Sequence, residues 1–594
     1  MPFIQDIIYQ FEVGKGARWL RWGLLGVLLV ALIVGYDLRV YRNLAAPEAM
    51  DAAQVARNLS EGKGFTTQLI RPVSIALLRD NEKTTAADPG LLKGNHPDLA
   101  NPPVYPLLLA GLMKVLPFEY SASKTAPFWS NAGHFWRYQP DFLIALFNQT
   151  LFLVVVVLTF LLARHLFDAM IGWVTALLLL GTELMWRFSV SGLSTMLLLV
   201  IFMGVVWCLV LLEESVREAR WGGKAVWLLA QALGLCLGLG ALTRYAFGWV
   251  IIPVLVFLLL FGGARKIALV FVTLGVFLAV VSPWVARNIS VSGAPFGVAT
   301  YAVVEGTTEF SEYKLQRALH PKFESVSVGL FVRKLMVNAR RILENELPKI
   351  GGSWVTAYFL AGLLVAFRSV AISRLRYFLL ISMAVLIAVQ ALGKTQLSEE
   401  TPEINSENLL VLLYPLVLMF GVCLFFLLLD QVRLPDARFR ALVMTAFGLA
   451  ACAPLIFAFM PPRLAPVVYP PYYPPAIQQV SGWMKEDELM MSDVPWAVAW
   501  YGHRQCVWLT LNAQADFFAI SDELKPVRGL YLTPQTMDAR FLSQWIRAGE
   551  FSWGSFILES LLKKEIPPTF PLRKSPGGFL PEQMFLTDWE RWKK

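Results

Sequence analysis

Two carboxylates three residues apart, Glu48 and Asp51, stand in the stretch of this sequence richest in candidate chemistry, APEAMDAAQVARNLSEGKGFTT at residues 46–67. Pro47 suits the first position of a helix, where its missing N–H is no loss, and Gly62 and Gly64 end that helix. The spacing puts both acids on one helical face. A carboxylate held there can take the proton of an attacking hydroxyl as a general base. A solvated helix face has the same spacing, and an exposed Asp51 on it would contribute little to stability. Spacing alone leaves both readings open.

Cations suited to an anionic substrate follow at the ends of apolar runs: Arg244 in LTRY, and Arg287 beside Asn288 in SPWVARN. Arg244 reads equally well as a phosphate partner or as a side chain snorkelling to the interface. Trp284 reads as an interfacial aromatic. His96, Pro97 and Asp98 precede a short apolar segment and would line an acceptor site or form a turn capped by Asp98. The five cysteines and five histidines form no CxxC or HExxH spacing, so no metal site is expected.

These residues need a scaffold, and the composition names its class. Of 594 residues, 56% are hydrophobic and 16% charged, with a mean hydropathy of +0.55; soluble domains carry about 25% charged residues. The expected fold is mainly α, a polytopic membrane protein of about eleven transmembrane helices with a C-terminal extracytoplasmic α/β domain. The spans are read at 19–36, 141–163, 169–187, 192–212, 225–243, 246–262, 267–283, 352–367, 377–393, 408–429 and 441–460. Every second short loop is basic, among them Arg164, then Arg217 with Arg220, then Arg265 with Lys266, then Arg368 with Arg374, and Arg433 with Arg440. The positive-inside rule therefore places the N-terminus in the cytoplasm. The net charge of +9 resides in these loops and calls for anionic lipid rather than nucleic acid.

Residues 1–36 form a signal anchor in this reading, 37–140 a first extracytoplasmic loop with juxtamembrane helices, and 141–460 the helical core with a second outer loop at 283–351. The segment PPVYPLLLAGLMKVLP at 102–117 is too short to span and is laid on the outer face. Beyond 461 the linker VVYPPYYPP leads into the α/β domain, with ELMMSDVPWAVAW and VRGLYLT read as buried strands.

The order of the signal anchor, ARNLSEGKGF, PPVYPLLLAGL, ARHLFD, GLGALTRY, SPWVARN and a late YPL at Tyr414–Leu416 resembles the GT-C membrane glycosyltransferases, specifically the protein O-mannosyltransferase and aminoarabinose transferase branch. The resemblance covers residues 15–430 and implies transfer of a sugar from a polyprenyl-phosphate donor to an acceptor hydroxyl on the extracytoplasmic face, by inverting single displacement. It implies Asp51 as the catalytic acid in the first outer loop, with Glu48 as second choice. It also implies Arg244, Arg287 and Asn288 at the donor phosphate, and His96, Asp98 and Tyr245 in the acceptor or donor pocket. No cofactor is required. The expected partners are the lipid-linked donor, a protein, lipid or glycan acceptor, membrane lipids, and a protein bound through the C-terminal domain. The expected site is the cell membrane, a bacterial inner membrane. The chain departs from many relatives at SVSGLST (Ser189–Thr195), where they carry an acid. A non-catalytic membrane subunit on the same scaffold is the alternative.

Overall fold

The computed structural model describes residues 15–592 apart from 42, 45, 83–91, 123–136, 219–221, 312, 324–325, 353, 366–368, 394–403, 433–435, 461–472, 514, 534–535, 537–552, 564–565 and 578–582. Arg220, Arg368, Arg433 and most of the proline-rich linker therefore lie outside the described residues.

Among the described residues, eight helices are long and apolar enough to cross a membrane, or nine when Ala169–Leu180 and Glu183–Val190, bent by 56°, count as one span. Two expected spans are shorter: Tyr245–Phe261 falls below that length, and Trp354–Gly362 has nine residues. The segment laid on the outer face is the short helix Val104–Val115, which packs on the helix carrying Asp51.

We label the elements that position the site. Helix α1 is Lys15–Arg39, and α2 is Pro47–Ser60. Strands β1 (Thr66–Thr67) and β2 (Leu69–Ile70) follow, then α3 (Pro72–Glu82) and β3 (His96–Pro97). The spanning helices used below are α4 (Gln139–Leu166), α5 (Thr195–Glu218), α6 (Gly223–Ala241) and α7 (Lys266–Ser292). Helix α8 is Val328–Arg341 and α9 is Val370–Gly393. Residues Leu410–Gln431 are almost wholly buried and form the centre of the bundle, whereas α1 and Ala437–Phe459 stand at its rim.

Helices α6 and α7 pack closely because Gly234 and Gly238, four apart, face the partner: a Cβ at Gly234 would lie 2.5 Å from the Thr273 carbonyl oxygen. Small residues at that spacing let membrane helices approach to backbone contact. The approach fixes the ends of both helices, where Arg244 and Arg287 lie.

The loop after α1 and the tail share one sheet of five strands. Its order is β2, β5 (Cys506–Trp508), β4 (Leu489–Ser492), β6 (Val527–Leu532), β7 (Met584–Thr587), parallel except for β7. The strands expected in ELMMS and VRGLYL are present. The expected strand through VPWAVAW is instead helical, Pro495–Ala497 continuing into a wide turn at Val498–Gly502. Pro495 explains the difference: it has no N–H for a ladder and is preset for a first helical turn.

The buried carboxylate of Asp141, at the start of α4, ties the sheet to the bundle. It accepts hydrogen bonds from Leu44 N (3.2 Å), Trp500 Nε1 (2.7 Å) and Tyr501 Oη (2.7 Å). Removing it strands three buried donors, each costing about 1–3 kcal/mol. Asp141→Ala is expected to lower the thermal midpoint and make the tail more susceptible to limited proteolysis; an unchanged cleavage rate would show that the tail is held by other contacts.

Candidate active site

Helix α2 forms as its sequence dictates, with Pro47 in its first turn and Gly62 and Gly64 beyond its end at φ +78° and +73°. Its alanine-rich faces are buried along most of its length. The solvated-face reading of Asp51 is therefore overturned: the residue is 2% exposed.

The Asp51 carboxylate is asymmetrically satisfied. Its Oδ2 accepts from Arg71 Nη2 at 2.7 Å and from Asn101 Nδ2 at 2.9 Å. Its Oδ1 is buried and has no hydrogen-bond partner among the described residues. A buried carboxylate oxygen left open is costly, and it is an acceptor poised for a proton-bearing group.

Arg71 follows directly on β2, so the sheet sets its position. Its Nε donates to Gln316 Oε1 at 3.1 Å, and Gln316 Nε2 donates to Glu305 Oε1 at 2.9 Å. Burial opposes the guanidinium charge, but Asp51, Asp98 and Glu305 more than offset it and hold its pKa above the ordinary value.

The short ladder of β1 with β3 pairs Thr66 with Pro97 and Thr67 with His96, which brings Asp98 beside Asp51. The Asp98 carboxylate accepts from Asn101 N at 2.9 Å and Ala100 N at 3.4 Å, the capped turn expected from sequence. Burial, then the negative charge of Asp51, push its pKa up to about 6, with Arg71 opposing. His96 lies on the buried side of this ladder, 2.9 Å from Ser74 Oγ.

Arg287 reaches the same turn from the end of α7, its Nη1 donating to the Asp98 carbonyl oxygen at 2.8 Å and to Asn288 Oδ1 at 2.9 Å. Its guanidinium lies 4.9 Å from the Trp284 ring and 5.6 Å from the Phe65 ring, so Trp284 is a cation–π partner. Tyr245 accepts at Oη from Trp284 Nε1 (2.7 Å) and Asn288 Nδ2 (3.4 Å), linking the ends of α6 and α7.

Comparison with known proteins bears on this architecture. Residues 138–286 match the family described as dolichyl-phosphate-mannose-protein mannosyltransferase. No curated protein sequence matches the chain. The fold is similar to the archaeal oligosaccharyltransferase AglB from Archaeoglobus fulgidus, in a structure with an inhibitory peptide and a dolichol-phosphate: TM-score 0.52, 11% identity, 91% of this chain and 72% of that one. It is also similar to ArnT from Cupriavidus metallidurans bound to undecaprenyl phosphate: TM-score 0.50, 11% identity, 96% of this chain and 98% of that one. The chain has the GT-C fold. The resemblance expected from the motif order is borne out at the level of that superfamily. On this GT-C scaffold the matched segment stops one residue before Arg287 and does not include Asp51 or Arg71.

The remaining candidates sit apart from the Asp51 carboxylate. Glu48 is half-buried and its charge acts on Arg244, not on Arg71. Arg244 donates from Nη2 to Ser194 Oγ and Thr195 Oγ1, both at 3.3 Å. The segment where relatives carry an acid thus supplies hydroxyls to this guanidinium. Arg71, Asn101 and Gln316 were not singled out by sequence. Arg71 precedes a proline, which favours extended backbone there, but nothing local announces its pairing with a residue 20 positions away.

The raised Asp98 pKa has a defined sign. A carboxyl at about 6 folded and about 3.9 unfolded binds more protons in the folded state between those values, so stability falls as pH rises through that window. Wild type is therefore expected to lose more thermal stability between pH 4 and 7 than Asp98→Asn does. Parallel melting curves would contradict the assignment.

Proposed function

We propose that this protein is a membrane glycosyltransferase that moves a sugar from a polyprenyl-phosphate donor to an acceptor hydroxyl, with Asp51 as the general base. The observation that carries the proposal is the open Oδ1 of a buried Asp51 whose other oxygen is held by Arg71 and Asn101. The acceptor oxygen attacks the anomeric carbon and its proton passes to Asp51. The bond from that carbon to the phosphate oxygen breaks, the electron pair leaves on the phosphate, and the configuration inverts. The extracytoplasmic side, at the end of the bundle carrying Asp51 and the sheet, is the assigned location of the reaction.

Arg71 has two roles in this account. Before the donor arrives it neutralises Asp51. As the bond to the anomeric carbon breaks, the donor's phosphodiester monoanion becomes a phosphate monoester with a second negative charge, which recruits the guanidinium, and Asp51, relieved of part of its counter-charge, is a stronger acceptor for the proton. Arg287, with Asn288 and Tyr245 behind it, and Arg244 supply further positive charge for the leaving phosphate. Electrostatic preorganisation of this kind lowers barriers by several kcal/mol. His96 and Asp98 border the acceptor side. The arginines perform the charge neutralisation, and transfer is expected to proceed unchanged in EDTA.

The experiment is a transfer assay with purified protein, a set of polyprenyl-phosphate sugars and envelope acceptors. Asp51→Asn is expected to lower the rate by about 10²–10⁴-fold, the usual contribution of a general base, while undecaprenyl phosphate is still bound. Because Asp51 is buried and paired, the variant should also lose stability, on the order of 3–5 kcal/mol at most. Glu48→Gln should retain transfer. Loss with Glu48→Gln alone would move the base to Glu48. Wild-type rates in both variants would remove this loop from the active site. Donor binding without transfer in any combination would favour a non-catalytic scaffold.

A further inference from the structure

Helix α8 lies at the same end of the bundle and meets the Asp51 network at Glu305, whose side chain reaches Arg71 through Gln316. The Nδ2 of its Asn338 donates to the carbonyl oxygen of Ala391, near the end of the spanning helix α9, at 2.9 Å. The Lys334 ammonium, on the same buried face, donates to the carbonyl oxygens of Ala302, Val303 and Glu305. The opposite face carries Val328, Val332 and Met336, four residues apart and 76%, 50% and 66% exposed, with Leu343 following at 49%. A helix fixed to the terminus of a membrane span, with an apolar stripe facing outward, lies at the boundary between lipid and water.

Between α8 and the turn at 306–308 is a cavity of about 220 Å³. Thr307, Thr308, Leu330, Val337, Arg333 and Arg341 line it, with the stem of Lys334, and among the described residues no carboxylate does. The Lys334 ammonium is already committed to carbonyls, so Arg333 and Arg341 are the cations left to meet a ligand. Neither is ion-paired among the described residues. The Arg341 Nη1 is buried and has no hydrogen-bond partner among the described residues.

We propose that this cavity holds the phosphate of an anionic phospholipid, with Arg333 and Arg341 on the headgroup and the Val328–Val332–Met336 stripe against its acyl chains. The pairing of an acid-free cationic cavity with an adjacent apolar stripe selects a lipid over a soluble anion. A free phosphate would gain nothing from the stripe, and a zwitterionic headgroup would bring its own cation against the two arginines. The site differs from the donor phosphate site, whose cations come from the loop after α1 and the ends of α6 and α7.

The test is native mass spectrometry of the intact protein in detergent, titrated with dioleoylphosphatidylglycerol or dioleoylphosphatidylcholine. Wild type is expected to retain one phosphatidylglycerol in preference to phosphatidylcholine. Arg333→Gln should weaken that retention about fivefold, and Arg333→Gln with Arg341→Gln about 30-fold, as loss of one and two cations near a headgroup predicts. Arg333 is exposed, so the single variant remains informative if the double variant fails to fold. Equal retention of both lipids, or an unaltered preference in Arg333→Gln, would overturn the proposal. Displacement of phosphatidylglycerol by millimolar inorganic phosphate would make the cavity a free-anion site. Stoichiometric displacement by undecaprenyl phosphate would assign it to the donor. Either result would also overturn the proposal.

Discussion

Burying the Asp51 carboxylate against the Arg71 guanidinium imposes conditions on most of the molecule. A buried ion pair is tolerated only where geometry is tight and the remaining polar atoms are bonded. Asp51 is supplied by α2, whose small residues let it sink into the protein, and Asn101 takes a second contact with the same oxygen. Arg71 is supplied by a strand that is short and becomes rigid only by joining the tail's sheet through Cys506 and Val507. The tail is held in turn by Asp141, through Trp500 and Tyr501. The ion pair therefore depends on residues more than 400 positions apart in the chain. Contacts of the second loop on the sheet, from Arg317 to the carbonyl oxygens of Leu509 and Thr510, close the same frame from its other side.

Cations are paired with carboxylates at both ends of the bundle. Away from the Asp51 site, Glu213 near the end of α5 meets Arg374 at 2.6 Å and Arg217 at 2.9 Å, and His165 meets Glu214 at 2.7 Å. These contacts involve the basic loops on which the orientation was read. At the site end, Arg57 is likewise paired with Glu61 at 2.9 Å, but Arg244 and Arg287 are held by hydroxyls, a carbonyl and aromatic rings. A guanidinium held by neutral groups keeps its charge available for an anionic substrate, and one neutralised by a carboxylate must be released first. Arg71 is of the second kind, which makes it the residue through which the leaving phosphate can act on the base.

How much of this was legible follows from the range of each interaction. Most apolar runs, the proline start of α2 and the turn at Asp98 depend on neighbours in sequence and appear where expected, while two expected spans are shorter than read. The strands in ELMMS and VRGLYL also appear where expected, whereas Pro495 diverts the next segment into a helix. The burial of Asp51 was not legible, because helical periodicity marks a polar residue as outward unless its partner is known. Arg71 comes from the first outer loop and Gln316 and Glu305 from the second, and only the fold aligns them. The entry of Leu69–Ile70 into the tail's sheet left no local sign either, since two residues carry no alternation to read.

The central claim is that the leaving phosphate takes Arg71 from Asp51. A structure of the wild-type protein in lipid nanodiscs with undecaprenyl phosphate bound tests it most directly. The account predicts that the Arg71 guanidinium lies within hydrogen-bonding distance of the phosphate, with its contact to Asp51 Oδ2 lengthened beyond that distance and Oδ1 still open. A phosphate bound elsewhere, with the 2.7 Å contact between Arg71 and Asp51 intact, would contradict it.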